Sequence, residues 1–97
     1  MKVIVLQTAE EDLEHSWQFY ENQEPGVGNA FYEEVISAVR ALSQDYPLHP
    51  CQGRFHRSLV RKFHAGIYDS IETDQVVVHR ILDLRRDPRW LRRQLQS

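Results

Sequence analysis

The chain has 97 residues, enough for one core and too few for a second, so 1–97 reads as a single domain. Apolar residues at 41% and charged residues at 27% exclude intrinsic disorder, and the longest uninterrupted apolar run, Val3 to Leu6, is far too short to span a bilayer. A net charge of −2 and a pI near 6.2 are low for a protein that binds a phosphate backbone over a broad basic surface.

Lys2 to Gln7 is a short strand, and Thr8-Ala9-Glu10-Glu11 reads as a capping box that starts a helix directly after it. In that helix Ala9, Leu13, Trp17 and Tyr20 recur at helical spacing and predict one buried face, with Glu10, Glu14 and Glu21 largely outside it. Pro25-Gly26 ends the pattern, and a second helix from Gly28 to Asp45 carries Phe31, Val35, Ala38 and Leu42 as its stripe, so the two form an antiparallel hairpin. Tyr46 to Pro50, with Gly53, make a loop. The period then changes to two: Phe55–Phe63, Ile67–Glu72 and Gln75–Leu84 are strands of an antiparallel meander, with Thr73-Asp74 as a hairpin turn. Strict alternation in the last strand would place Val76, Val78, Arg80 and Leu82 on one face, where Arg80 needs a partner among apolar neighbours. Leu13, Trp17, Phe31, Val35 and Leu42 are expected to pack against Val76, Val78 and Leu82. Asp87-Pro88 is a cap with proline in the first helical position, and it opens a short basic helix through Leu91 and Leu95. The expected fold class is α+β: an N-terminal strand, a helical hairpin packed on a mainly antiparallel sheet, and a short C-terminal helix.

The small net charge conceals an asymmetry. Residues 1–50 hold two cations against nine acids, net −7; residues 51–97 hold ten cations against five acids, net +5, and nine of those ten are arginine. Arginine keeps its charge and offers a planar fork of donors to carboxylate or phosphate, so an acidic or polyanionic partner is implied. The alternative is that the two halves attract one another within the fold. Cys51, the only cysteine, excludes an internal disulfide, and the five histidines show no paired ligand spacing, so no metal and no cofactor is expected. With neither a membrane span nor a leader visible, the expected location is the cytoplasm.

The order strand, helix, helix, loop, three strands, short helix resembles the RelE/ParE toxin superfamily. Ala9-Glu10-Glu11-Asp12-Leu13 followed by Trp17 and Tyr20 resembles the start of that family's first helix. Pro25-Gly26-Val27-Gly28-Asn29-Ala30-Phe31 is similar to its interhelical turn, and Pro47 to the proline after its second helix. The strongest likeness runs from Val76-Val77-Val78 through Ile81-Leu82 to Arg85-Arg86-Asp87-Pro88-Arg89-Trp90. Departures are Phe63-His64-Ala65 in place of an aromatic-Pro-Tyr start to the third strand, Asp69 where a tyrosine is common, and Asp83-Leu84 before the arginine pair.

The resemblance implies the toxin half of a type II toxin–antitoxin pair, a plasmid-stabilisation protein that inhibits growth and forms a hetero-oligomer with its cognate antitoxin. In the ParE-like branch, which is favoured, it implies a poison of DNA gyrase with no catalytic residues of its own. Candidate partner-binding residues are then Arg57, Arg61, Lys62, Arg85, Arg86, Arg89 and Trp90, with Trp90 read also as an anchor of the last helix. In the RelE-like branch it implies a ribosome-dependent mRNA endoribonuclease, in which Arg57, Arg61, Arg80, His79 and Arg86 would converge on a phosphate. That branch commonly uses a tyrosine or histidine near the C terminus as base, and none follows His79. A third possibility is a degraded toxin that retains only antitoxin binding and co-repression.

Overall fold

The β-branched N-terminal run forms β1 (Lys2–Val5), and the chain turns at once into α1 (Gln7–Gln23). In the computed structural model, which describes residues 1–45, 51–52 and 54–96, there follow α2 (Val27–Asp45), β2 (Cys51–Gln52), β3 (Phe55–Val60), β4 (Ala65–Glu72), β5 (Gln75–Asp83) and α3 (Pro88–Gln96). One sheet runs in the order β1-β5-β4-β3-β2, antiparallel except where β1 lies parallel to β5. The α+β expectation holds, with the two-residue β2 as an unforeseen edge. The expected loop over 46–50 and 53 lies outside the described residues. No described helix is long and apolar enough to cross a membrane.

Local chemistry sets most boundaries. Gly26 takes φ +93°, a conformation glycine adopts without strain, and the Glu21 carboxylate accepts the N–H groups of Gly26 and Gly28, satisfying donors at the start of α2. Gly28 is needed for a second reason: a Cβ there would lie 2.8 Å from the Trp17 carbonyl oxygen and 2.8 Å from Glu21 Oε1. Gly28→Ala is therefore expected to wedge the helices apart and cost about 1–3 kcal/mol in denaturant unfolding, despite alanine's better helix propensity. Thr73 and Asp74 both have positive φ, 52° and 60°, as the two-residue turn between β4 and β5 requires. Asp87 Oδ1 accepts the Arg89 N–H at 2.8 Å, so the expected cap of α3 is present.

The start of α1 differs from expectation. Thr8 does not cap; the helix begins two residues earlier, at Gln7 behind Leu6, without a side-chain cap, and Thr8 Oγ1 instead donates to the His79 carbonyl at 2.8 Å. The pairing of β1 with β5 brings Thr8 to that strand's open edge, where a bond to an unpaired carbonyl replaces the local one.

Two apolar clusters lie on the sheet. The larger joins Ala9 and Leu13 of α1, Phe31, Val35 and Leu42 of α2, and Ile67, Val76, Val78 and Ile81 of the sheet. The smaller joins Phe55, Tyr68 and Leu82 to Leu84, Trp90, Leu91 and Leu95, so α3 packs on the other cluster from the hairpin. Leu82 is thus misplaced by strict alternation, and Ile81 takes its expected position. The cause is a bulge: Asp69 pairs with Val78 and Tyr68 with Arg80, leaving His79 as an extra residue. One inserted residue exchanges the faces of everything beyond it.

Trp17 also departs from expectation. It is half-buried and outside both clusters, with its indole N–H on Asn29 Oδ1 at 3.0 Å. Ala9, Leu13 and Tyr20 centre the buried face, and Trp17 lies some 80° round the helix from Ala9, on the flank toward α2. Arg61 and Lys62, expected on a strand, lie in a 3-10 turn over Arg61–Phe63 that ends with His64 in the left-handed region.

Candidate functional site

The bulge determines the site. Beyond Val78 the strand β1 no longer covers the edge of β5, and α1 takes its place. Asp12 accepts the Ile81 N–H at 3.0 Å and a two-pronged bond from Arg80, Nε at 2.7 Å and one terminal nitrogen at 2.9 Å. Arg80 continues to the carbonyl and side-chain oxygens of Gln94, at 3.0 and 3.1 Å. One guanidinium thus ties α1, β5 and α3 together. The Asp12 hydrogen bond raises the Arg80 pKa further, against the opposing effect of burial.

Above this tie a cleft of about 570 Å³ opens between α1 and α3. Asp12, His15, Phe19 and Tyr20 line its α1 side, and Arg80, Asp83, Arg86 and Trp90 are among those opposite. Tyr20 donates to the Phe63 carbonyl at 3.2 Å and accepts from Arg85 at 2.9 Å; burial raises its pKa, and the Arg85 charge works against that rise. Burial also disfavours the charge on Asp83, but two side-chain bonds and a backbone bond from Arg85 outweigh it and hold this carboxyl below its usual range. The Arg86 guanidinium lies 4.0 Å over the Trp90 ring, which holds the cation in place while leaving Arg86 exposed. The Arg89 N–H and side chain draw the Asp87 pKa down at the mouth of α3.

Of the residues singled out in the sequence, the cleft gathers Arg80, Arg86 and Trp90. Arg85 stands beside it, engaged by Asp83 and Tyr20. Arg57 lies on β3 opposite Tyr68, its Nε buried without a hydrogen-bond partner, while Arg61 and Lys62 are exposed, with Lys62 Nζ 5.7 Å over the Phe63 ring. None of these three lines the cleft. His79, the bulge residue, is also elsewhere: its Nε2 lies 2.8 Å from Ser70 Oγ and 3.2 Å from Glu72 Oε2, and its ring packs on Phe55. Serine and acid share one ring nitrogen, whereas a nucleophile relay needs the acid on the other.

Asp12, His15, Tyr20 and Gln94 complete the cleft without a functional signal in the sequence. The only available signal was indirect: Arg80 required a partner, which proved to be 68 residues away. Among the described residues no group of three or more His, Cys, Asp or Glu side chains is placed to hold a metal ion.

No family model matches the sequence, and no curated protein matches it. Among solved structures, a chain of the chromosomal ParDE TA system from P. aeruginosa superposes with a TM-score of 0.79 at 13% identity, covering 87% of this chain and 96% of that one. The fold is ParE-like. At 13% identity it is a likeness of backbone, and the side chains described above belong to this chain.

Proposed function

We propose that the chain is the toxin of a type II toxin–antitoxin pair, acting in the cytoplasm as one domain over 1–97 and held by a cognate antitoxin in a hetero-oligomer. The ParE-like fold over almost the whole neighbouring chain carries this reading. The surface formed by Arg86, Arg89 and Trp90, with Arg85 beside it, suits an acidic segment that folds on binding. The ParE-like mode, poisoning DNA gyrase by binding, fits best. Arg80 is neutralised by Asp12, and His79 is engaged on another part of the sheet, so the residues proposed for phosphate chemistry do not meet.

Inducible expression in a bacterium is the test. The expected result is growth arrest with DNA-damage signals, relieved by co-expressing the small reading frame beside the gene; no arrest would leave only antitoxin binding and co-repression. Replacing Arg85 and Arg86 together by alanine should weaken antitoxin binding or toxicity by more than about 1 kcal/mol, beyond an ordinary surface substitution. An unchanged unfolding curve would separate that loss from the Arg85 bonds to Asp83 and Tyr20.

One observation favours the second reading, a RelE-like endoribonuclease acting with ribosome and mRNA: His15 lines the same cleft as Arg86. Rapid mRNA loss on induction, abolished by His15→Ala, would support it in place of gyrase poisoning.

A further inference from the structure

The seam between α1 and α2 carries a second depression, of about 610 Å³, lined by Leu13, Trp17, Tyr32 and Ile36 and by the acids Glu10 and Glu14. It shares no lining residue with the cleft beside α3, and its only charged lining residues are the two acids. Glu10 and Glu14 are exposed, stand one turn apart on α1, and have no ion-pair partner among the described residues. Like charges at that spacing repel, so a cation placed between them relieves a cost the free protein bears. Glu33 adds a further exposed acid beside Tyr32, and Arg40 is the one cation of α2.

The apolar floor is shaped in advance. The bond from the Trp17 indole to Asn29 fixes the ring against α2, and Tyr32 next to it is 46% exposed, a large value for an aromatic side chain on a helix face. Two helices with an apolar trough between them offer a third helix the packing they already give each other, and the acidic lining selects its charge. We propose that this seam docks a basic amphipathic helix of a partner protein. Its apolar side chains lie over Trp17, Tyr32 and Ile36, and its lysines or arginines lie against Glu10 and Glu14. The proposal does not depend on the toxin reading. It gives the molecule two faces of opposite charge, one for an acidic segment and one for a basic helix, so that two partners can be held together.

The experiment uses the full chain with Trp90→Phe, which leaves Trp17 as its only tryptophan. Two synthetic helices serve as probes, identical in their leucine face and carrying either lysine or glutamate on the flanks. The lysine helix is expected to shift Trp17 emission saturably, with an affinity that falls as salt rises. The glutamate twin is expected to bind at least about tenfold more weakly, and Glu10→Gln with Glu14→Gln to weaken the lysine helix by at least about tenfold. Tyr32→Ala should weaken both helices. Because these three residues are exposed, the variants are expected to keep the parent's unfolding curve. No saturable change, equal binding of the two helices, or lysine-helix binding that survives loss of both acids would overturn the proposal.

Discussion

Asp69→Asn is expected to equal the parent protein in stability near pH 4 and to exceed it increasingly as the pH rises to 8. Asp69 is fully buried on β4, and neither carboxylate oxygen has a hydrogen-bond partner. Burial without compensation penalises the charged form and raises this carboxyl to about 7. A folded pKa above the unfolded one means that the native state binds the proton more tightly. Its contribution is therefore complete below about pH 4, the range of an unfolded aspartate, and is lost as the pH rises through about 7. The gap between those values corresponds to about 4 kcal/mol, a large share of the roughly 5–15 kcal/mol that stabilises a small domain. Asparagine keeps the shape and cannot ionise. Urea unfolding at one-unit pH steps is the measurement; parallel stability curves for the two proteins would show that Asp69 does not carry the proton.

Removing the Asp12 side chain is the second large effect. The side chains of Arg80 and Asp12 are only 18% and 13% exposed, and Asp12 also accepts the Ile81 N–H, so Asp12→Ala leaves a mostly buried cation and a strand-edge donor unsatisfied. Breaking such a pair from one side costs about 3–5 kcal/mol. Replacing both partners with apolar residues of similar length, Asp12→Leu with Arg80→Met, removes the stranded charge; what is then lost is the acceptor of the Ile81 N–H, at about 1–3 kcal/mol, and the Arg80 bonds to Gln94. The double variant should therefore be more stable than Asp12→Ala alone, a difference that denaturant unfolding of the two variants detects. A loss below about 1 kcal/mol for Asp12→Ala would mean that the ion pair does not hold α1 to β5. Because Arg80 also bonds Gln94, the double variant should loosen α3 and change the emission of Trp90, which packs from that helix onto the smaller cluster.

What the sequence determined by itself is everything carried by short-range chemistry. The Pro25-Gly26 break, the Thr73-Asp74 turn, the Asp87-Pro88 cap and the apolar stripes led by Leu13, Phe31, Val35 and Leu42 each depend on residues within one or two turns of each other, so their spacing foretold the element order and the hairpin. Tertiary structure decided what depends on residues far apart. The extra residue at His79 arises from pairing with β4, and it moved Leu82 to the smaller cluster and Ile81 to the larger without any change in composition to announce it. Thr8 donates to a carbonyl 71 residues away in place of the local capping role. Trp17 was left half-buried on the flank toward α2, where its indole N–H meets Asn29. The basic residues that looked equivalent in the sequence were separated in the same way. Arg80 was neutralised by Asp12, 68 residues away, and Arg85 was drawn to Tyr20, 65 residues away, while Arg86 was left exposed over Trp90, since a cation's availability is set by which groups the fold brings within hydrogen-bond reach.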